Sequence, residues 1–373
     1  MLADDKSYSN VLSSMCTPPN DISRLVAGEF AEINLGDPGL FPTAIKMEQD
    51  VLSILASFLN APKKWHGSIT SGGSESNLLG CWTARNWGRQ EKGIKNGRII
   101  FPKSAHVSFE KAIDLLSITP DWIDLNQQLM IDIEAVKENI TDETVGIIGI
   151  AGTTGTGICD DIKALSEIAI DHNLYLHVDA AYGGTVFPFL TDLGRVPPQF
   201  AFENEGVKSI TIDTHKILGG LIPGGAIIYR SKEFSNLISK NITYLSDSST
   251  TQITITGTRP ANSMISSWIL LKKFGRKYLV NRVKKALFLT NHLISQFKKI
   301  PEIELVFQPN LNIIGFTCTV FTTKELVEKL KDKDWLLSIY DDWIRIVVMP
   351  HLEKKIISKF VNDLKSIIKE KKF

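Results

Sequence analysis

The chain has 373 residues, of which 43% are hydrophobic, and its 42 basic residues are balanced by 41 acidic ones. A chain of this length can bury a large core. Its net charge of +1 gives no general field that attracts nucleic acid or an anionic membrane. We therefore expect a protein that acts on a small molecule.

The cysteines and the hydrophobic runs indicate where such a protein works. Four cysteines lie far apart without a C-x-x-C pair, which argues against a metal site or a disulfide framework and fits a reducing cytoplasm. The first residues, MLADDKSYSN, hold no apolar signal-peptide core, and no run reaches the roughly 18 apolar residues of a membrane span. We expect a cytoplasmic protein without metal, nucleic-acid or membrane partners.

An N-terminal segment, residues 1–42, precedes a region of alternating helical and strand patterns at residues 43–260. Helices are predicted near TAIKMEQDVLSILASFL, DIEAVKENI and DDIKALSEIAIDH, where apolar residues recur at helical spacing. The predicted strands are short apolar runs, at residues 98–101, 145–152, 174–179, 209–213 and 225–229. This order predicts a large α/β domain with helices on both faces of a mainly parallel sheet.

The pattern changes after Pro260, and residues 261–373 are predicted to form a smaller C-terminal α/β domain. It begins with a long helical stretch that runs to about residue 299. Strands are then predicted near residues 303–307, 313–319 and 344–348, and the helix EKKIISKFVNDLKSIIKEKK closes the chain.

Ligands of open α/β sheets bind beyond the carboxyl ends of the strands, so residues that follow predicted strands are candidates for a site. The stretch TSGGSESN turns through Gly72 and Gly73 and enters a helical pattern at Ser74. Glycines let the backbone approach an anion, and a helix N-terminus suits a phosphate. Ser74 is equally typical of an ordinary helix cap.

Asp179 ends an apolar strand and is followed by the small residues Ala180 and Ala181. A buried carboxylate needs a cationic partner, and the protonated pyridine nitrogen of a bound cofactor is one candidate. The alanines leave room for a flat ring. The alternative is a carboxylate that merely caps the following turn.

Two further strand ends offer polar groups. His106 precedes a helix and is either a flat ring that stacks on a cofactor or a hydrogen-bonded structural histidine. Thr153 and Thr154 offer hydroxyl donors, although both also suit a polar turn.

Lys216 follows the strand SITID and precedes the apolar, glycine-rich ILGG. Burial in such a place lowers the pKa of a lysine and makes its amine a nucleophile, whereas a solvated loop lysine is the alternative. A Schiff-base lysine, an aspartate, a stacking ring and a phosphate-binding turn are together the parts that hold pyridoxal phosphate.

Nine motifs carry a resemblance: NLGDPGLFP, SGGSESN, PKSAHVSFEKA, GIAGTTGTG, DDIKALSEIA, LHVDAAYGG, KSITIDTHK, TITGTRPA and IRIVVMPH. In this order they resemble the group II pyridoxal-phosphate-dependent decarboxylases, especially the archaeal L-tyrosine and L-aspartate decarboxylases. The resemblance implies fold type I, the architecture of aspartate aminotransferase. It also implies a homodimer with active sites at the subunit interface.

The resemblance implies roles for individual residues. Lys216 forms the Schiff base, Asp179 contacts the pyridine nitrogen and His106 stacks on the ring. Arg345, and also Arg259, are candidates for binding the substrate. The implied cofactor contacts are Gly73, Ser74, His106, Thr153, Asp179, Ala181, Asp213, His215, Lys216 and Thr258.

The chain departs from the family pattern in a loop that often carries a proton-donating tyrosine, because SDSSTTQITITGT contains none. The proton donor is therefore unassigned. We expect decarboxylation of L-aspartate to β-alanine, which serves coenzyme A biosynthesis, or of L-tyrosine to tyramine. Glutamate decarboxylation, a carbon–carbon lyase of the sphingosine-phosphate lyase type and a catalytically dead binding dimer remain alternatives.

Overall fold

The structure is a computed structural model that describes residues 8–245 and 250–371. The start of the chain, its last two residues and residues 246–249 lie outside this part. Residues 246–249 are the first four residues of SDSSTTQITITGT, the loop in which the sequence has no tyrosine. No helix of the described part is long and apolar enough to cross a membrane.

A seven-stranded sheet forms the centre of the molecule. Its strands, in chain order, are β1 (His66–Thr70), β2 (Arg98–Pro102), β3 (Thr119–Ile123), β4 (Thr144–Ile150), β5 (Tyr175–Asp179), β6 (Val207–Asp213) and β7 (Gly225–Tyr229). They are arranged in the order β1-β7-β6-β5-β4-β2-β3. Only β7 runs antiparallel to its neighbours β6 and β1, so the prediction of a mainly parallel sheet is confirmed.

Helices cover both faces of this sheet because its central strands are apolar on both sides. Along β4, Ile147 packs into one hydrophobic cluster and Ile148 into another on the opposite face. The helices of this region are α1 (Asp21–Glu29), α2 (Pro42–Phe58), α3 (Gly73–Glu91), α4 (Ser108–Leu116), α5 (Ile133–Asn139), α6 (Ile162–Asp171) and α7 (Lys232–Asn236). The short strands β8 (Lys240–Asn241) and β9 (Thr251–Gln252) pair beside them.

The C-terminal part begins with α8 (Asn262–Ile269), a π-helical turn at Leu270–Phe274 and α9 (Gly275–Phe297). An antiparallel sheet follows in the order β10-β11-β13-β12. Its strands are β10 (Ile303–Leu305), β11 (Ile313–Cys318), β12 (Ser338–Tyr340) and β13 (Trp343–Val347), and its helices are α10 (Thr323–Lys331) and α11 (Lys354–Lys371).

Two large hydrophobic clusters meet along α9. Leu279, Val283 and Leu287 belong to the cluster under the large sheet, whereas Leu289 and Leu293 belong to the cluster of the C-terminal sheet. The predicted domain division at residues 260 and 261 stays a prediction. The hydrophobic contacts change from one part to the other within this helix.

The N-terminal segment connects the two parts of the molecule. Leu12 is fully buried in the C-terminal cluster, and its backbone bonds to Leu336 and Val347. Farther along the segment, the backbone of Asn20 bonds to Gly219 of the large part, and the Asn20 side chain caps α1. The residues between these anchors cross the carboxyl edge of the large sheet.

Candidate active site

A cavity of about 240 Å³ lies at the carboxyl edge of the large sheet. It collects residues that follow β1, β2, β4, β5 and β6, as expected for an open α/β sheet. The lining includes Ser71, Gly72, Gly73, Ser74, Asn77, Ser104, His106, Thr154, Asp179, Ala181, Asp213, His215, Lys216 and, from the N-terminal segment, Met15.

Lys216 points into this cavity from the turn after β6. Its Nζ lies 3.1 Å from Oδ2 of Asp213, and 18% of its side chain is exposed. Burial alone lowers the pKa of Lys216, but the carboxylates of Asp213 and Asp179 outweigh burial, so its pKa lies above the usual value. The prediction of a lowered lysine pKa was therefore wrong, because it considered burial without the neighbouring carboxylates.

Asp179 ends β5 with its side chain buried at the cavity wall. Its Oδ2 accepts a hydrogen bond from Nδ2 of Asn77 at 2.8 Å, and its Oδ1 accepts one from the backbone N–H of Ala181 at 3.0 Å. These two donors fix the plane of the carboxylate. Asp179 forms no ion pair with any residue in the described ranges, so it suits a cationic ligand group.

His106 lies at the cavity wall just before α4. Its Nδ1 accepts hydrogen bonds from the backbone N–H of Ser108 at 3.2 Å and from the Ser108 hydroxyl at 3.0 Å. Burial lowers the pKa of His106, although Asp179 opposes this effect. The side chain is therefore a neutral, flat ring with a fixed orientation, as stacking on a cofactor requires.

The turn before α3 brings backbone to the cavity. Gly72 has a φ of 114°, which side-chain-bearing residues rarely adopt. A Cβ on Gly73 would lie 3.0 Å from Cβ of Ala181 and 3.1 Å from Oδ2 of Asp213. The backbone thus favours glycine at position 72 and leaves little room for a side chain at position 73, and the first N–H groups of α3 have no partner within the helix. This turn can hold a phosphate.

Asp213 and His215 complete the wall next to Lys216. Oδ1 of Asp213 is buried and has no hydrogen-bond partner among the described residues. Nδ1 of His215 donates to the Gly224 carbonyl at 2.6 Å. Burial lowers the pKa of His215, but its bonds to Cys16 and Gly224 and the charge of Asp213 raise it overall.

Four predicted residues do not line the cavity: Thr153, Thr258, Arg259 and Arg345. Thr153 is buried, and its hydroxyl bonds to Thr156 at 2.6 Å, whereas its neighbour Thr154 does line the cavity. Thr258 is exposed on the surface. Arg259 forms an ion pair with Glu48, with 2.8 Å between Nη1 and Oε1.

Arg345 lies behind the cavity wall and contacts it through the backbone. Its Nη1 donates to the carbonyl of Thr154 at 2.8 Å, its Nη2 to the carbonyl of Ser13 at 2.7 Å and its Nε to Oγ of Ser338 at 3.2 Å. No carboxylate of the described ranges forms an ion pair with this guanidinium. Its charge therefore remains available to a carboxylate ligand.

The sequence prediction missed Asn77, Ser108 and Met15. Asn77 stands at the end of SGGSESN, one helical turn after the predicted phosphate site, and this spacing was the available signal. Ser108 similarly follows His106 by two residues. Met15 gave no signal, because its position at the cavity depends on where the N-terminal segment crosses the sheet.

These groups fit pyridoxal phosphate. The cavity combines an amine at Lys216, a carboxylate at Asp179 without a cationic partner in the described ranges, a flat neutral ring at His106 and a glycine turn at a helix N-terminus. An aldehyde, a pyridine nitrogen, a ring face and a phosphate are the matching parts of that cofactor.

Comparisons with known proteins agree with this assignment. Residues 31–319 match the model of the pyridoxal-dependent decarboxylase conserved domain. An L-aspartate/L-glutamate decarboxylase of Pyrococcus horikoshii is 42% identical over 362 residues, which cover 97% of this chain and 93% of the relative. A probable L-tyrosine/L-aspartate decarboxylase of Methanosphaera stadtmanae is 38% identical over 370 residues, which cover 98% of this chain and 94% of the relative.

Among solved structures, glutamate decarboxylase of Lactobacillus brevis superposes with a TM-score of 0.91 at 22% identity. The superposition covers 99% of this chain and 90% of that protein, and it confirms the predicted fold type I architecture. The family match, the relatives and the fold together show that the chain belongs to the pyridoxal-dependent decarboxylase family and is a pyridoxal-phosphate-dependent amino-acid decarboxylase.

Proposed function

We propose that this enzyme removes the α-carboxylate of L-aspartate and releases β-alanine and CO₂. The observation that carries this proposal is that the relatives from Pyrococcus horikoshii and Methanosphaera stadtmanae are both named for L-aspartate, whereas their second named substrates differ. The cavity residues account for the decarboxylation itself. Glutamate and tyrosine are the competing substrates.

The bound cofactor supplies a protonated pyridine ring that accepts the electron pair left when a carboxylate departs as CO₂. Lys216 is the amine that attaches the cofactor covalently, since its Nζ lies in the cavity next to Asp213. Gly73 and Ser74 hold the phosphate at the N-terminus of α3, together with His215.

Asp179 and His106 orient the ring. Because Asn77 and Ala181 hold the Asp179 carboxylate in one plane, it can keep a proton on the ring nitrogen. His106 would lie against the ring face as a neutral imidazole, because Ser108 occupies its Nδ1 and burial lowers its pKa. A neutral imidazole avoids the repulsion that a protonated one would exert on the positively charged ring nitrogen.

Arg345 binds the substrate carboxylate. Its three bonds go to two backbone carbonyls and one hydroxyl, which orient the guanidinium without neutralising it. A planar guanidinium with a remaining N–H suits an acid group on the substrate. Arg259 has no such free charge, since Glu48 compensates it.

The test is CO₂ release from a panel of L-aspartate, L-glutamate, L-tyrosine and other amino acids. We expect the highest kcat/KM for L-aspartate, with β-alanine as product. Preference for another amino acid contradicts the substrate assignment. Release of an aldehyde from a phosphorylated amino alcohol, without CO₂, favours the lyase alternative.

The role of Lys216 is tested by Lys216→Ala. The variant should lose the visible absorbance of bound cofactor and at least about four orders of magnitude in kcat. Lys208→Ala is the matched control, because Lys208 is a partly buried lysine on β6 that does not line the cavity. Full CO₂ release by Lys216→Ala contradicts the assignment.

We further propose a cytoplasmic homodimer with its active sites at the subunit interface, and a supply of β-alanine to coenzyme A biosynthesis. Support comes from apolar side chains near the cavity mouth: Leu115 is 69% and Ile255 is 51% exposed, and both line a shallow cleft with Ser71 and Ser74. All four cysteines are free thiols.

The dimer is tested by light scattering, which should give twice the mass of one chain. Leu115→Asp should shift the measured mass toward that of one chain and lower the activity. A fully active monomer contradicts the dimer.

A further inference from the structure

A chain of buried hydrogen bonds runs from the interior of the large sheet to the cavity. The hydroxyl of Tyr175 donates to Oγ of Ser209 at 2.8 Å, and Oγ of Ser209 lies 2.8 Å from Nδ1 of His177. Nε2 of His177 lies 3.3 Å from Oδ1 of Asn77, whose Nδ2 donates to Asp179 at 2.8 Å. Tyr175, Ser209, His177 and Asn77 are each at most 1% exposed.

The Asp179 carboxylate at the end of this chain can only accept hydrogen bonds, and this determines which group is the donor in every other bond of the chain. Asn77 must turn its amide N–H toward the carboxylate of Asp179, so its oxygen faces His177. His177 therefore carries its proton on Nε2, and its Nδ1 accepts from the hydroxyl of Ser209. Burial lowers the pKa of His177 to about 4, in agreement with a neutral ring that has one donor and one acceptor.

Asn77 also has a second branch. Its Nδ2 donates to Oγ of Ser108 at 3.1 Å, and that hydroxyl donates to Nδ1 of His106 at 3.0 Å. One amide thus contacts both the carboxylate that faces the ring nitrogen and the serine that orients the stacking histidine. Both N–H groups of the Asn77 amide and its oxygen therefore have hydrogen-bond partners.

We propose that Asn77, His177 and Ser209 are positioning residues that act on the cofactor through Asp179 and His106. All donors of the main chain of bonds point toward Asp179, and bonds donated to a carboxylate favour its charged form. Bonds in such a chain polarise one another in a low-dielectric interior. The chain should therefore tighten cofactor binding and extend to higher pH the range in which the ring nitrogen stays protonated.

This inference rests on the assignment of pyridoxal phosphate to the cavity. The alternative role is purely structural, since His177 also packs against α3, where a Cβ on Gly80 would lie 2.5 Å from Nδ1 of His177. A structural role affects unfolding but not the pH titration of the cofactor. The two roles are therefore separable by experiment.

The decisive variant is Ser209→Ala, because Ser209 does not line the cavity and its change removes the donor to His177 together with the acceptor of the Tyr175 hydroxyl. We expect the dissociation constant of pyridoxal phosphate, measured by re-addition to the stripped enzyme, to rise roughly tenfold, as it does for outer hydrogen-bond partners of bound metals. The pH midpoint of the visible absorbance of the bound cofactor should move to higher pH, because this absorbance follows the proton on the nitrogen that joins Lys216 to the cofactor, and that proton is held more tightly when the ring nitrogen carries less positive charge. Asn77→Leu should change the dissociation constant and the pH midpoint in the same directions and by larger amounts.

Ser166→Ala is the matched control. Ser166 is buried on α6, and its hydroxyl accepts a hydrogen bond from the backbone N–H of Gly206 at 2.8 Å, outside the chain of bonds that ends at Asp179. Ser166→Ala should lower thermal stability about as much as Ser209→Ala, while the dissociation constant and the pH midpoint stay at wild-type values. If Ser209→Ala behaves like Ser166→Ala, the proposal is overturned. If the wild-type protein itself binds no pyridoxal phosphate, the cofactor assignment fails instead.

Discussion

Two partly buried arginines of this enzyme have opposite surroundings. Arg259 lies beside β1, where its guanidinium bonds to both oxygens of Glu48 and to the carbonyls of Ile69 and Leu35. Arg345 lies on β13, where its acceptors are two backbone carbonyls and a serine hydroxyl. The first charge is neutralised within the chain, and the second is not.

The difference separates a structural arginine from one that can bind substrate. Neutral acceptors orient a guanidinium but leave its charge uncompensated, which is unfavourable in a buried place unless a ligand supplies the anion. Burial accordingly lowers the pKa of Arg345. Both residues were predicted as substrate contacts from the family resemblance, and only the charges around them distinguish the two.

The largest expected effect is on catalysis at the uncompensated arginine. Arg345→Gln keeps hydrogen-bonding capacity but removes the charge, so kcat/KM for L-aspartate should fall about 100- to 1000-fold, mainly through KM. Steady-state kinetics with saturating cofactor measures this. Unchanged kcat/KM would remove Arg345 from the substrate site.

The compensated arginine should instead affect stability. Arg259→Gln leaves Glu48 buried without its cation, which should cost about 3 kcal/mol in the free energy of unfolding, measured with urea. The KM for L-aspartate of the folded variant should stay within about twofold of wild type. Lys272→Gln is the control: its ion pair with Asp50 is half exposed and screened by solvent, so the expected loss is much smaller than for Arg259→Gln.

A smaller effect concerns the segment that holds Ser13 against Arg345. His351 anchors this segment, as its Nε2 donates to the carbonyl of Tyr8 at 3.1 Å and its Nδ1 lies 3.0 Å from Oγ1 of Thr17. Burial lowers the pKa of His351 to about 4, below the usual 6.5. The unfolded chain therefore binds this proton first, and stability present above about pH 6.5 is lost as the pH falls toward 4.

His351→Gln keeps a donor for Tyr8 but does not titrate. The wild type should lose roughly 2 kcal/mol more than this variant between pH 7.5 and 4.5, after allowance for partial exposure. Urea unfolding at the two pH values measures the difference. Because other titrating groups such as His177 contribute equally to both proteins, equal losses would show that His351 does not titrate in this range.

The smallest effect is expected at Met15, the residue of the N-terminal segment that lines the cavity. Met15→Ala widens the cavity, so kcat/KM for L-tyrosine relative to L-aspartate should rise about tenfold. Met47→Ala is the matched control, because Met47 is a partly buried methionine of α2 that does not line the cavity. An unchanged ratio would place Met15 away from the substrate side chain.

Much of the fold could be predicted because its signals are local. The strand predicted at residues 225–229 coincides with β7, and the helix predicted at 160–172 contains α6. Strands β1 and β3 were missed, since HGSIT and TPDWI lack a run of apolar residues. Their pairing with neighbouring strands compensates for this weak propensity. The antiparallel direction of β7 likewise has no local signal.

The site was predictable where its residues follow strands. Lys216, Asp179, His106, Gly73 and Ser74 all line one cavity, because parallel strands bring their carboxyl ends to one edge. Of the two hydroxyl donors that the sequence offered, Thr154 lines the cavity and Thr153 does not. The direction of the Thr153 side chain depends on a turn closed by the bond between Thr153 and Thr156.

By itself, the sequence determined the α/β pattern, the family and the set of chemical groups, since periodicity and short motifs act over a few residues. Only the tertiary structure decided how those groups are charged and held. Asn77 and Asp179 are 102 residues apart, and Arg259 and Glu48 are 211 apart. Electrostatic energies depend on such distances in space, so the free charge of Arg345 follows from packing. The pKa of Lys216 is raised by Asp213, three residues away in sequence, and also by Asp179, which packing brings from another strand.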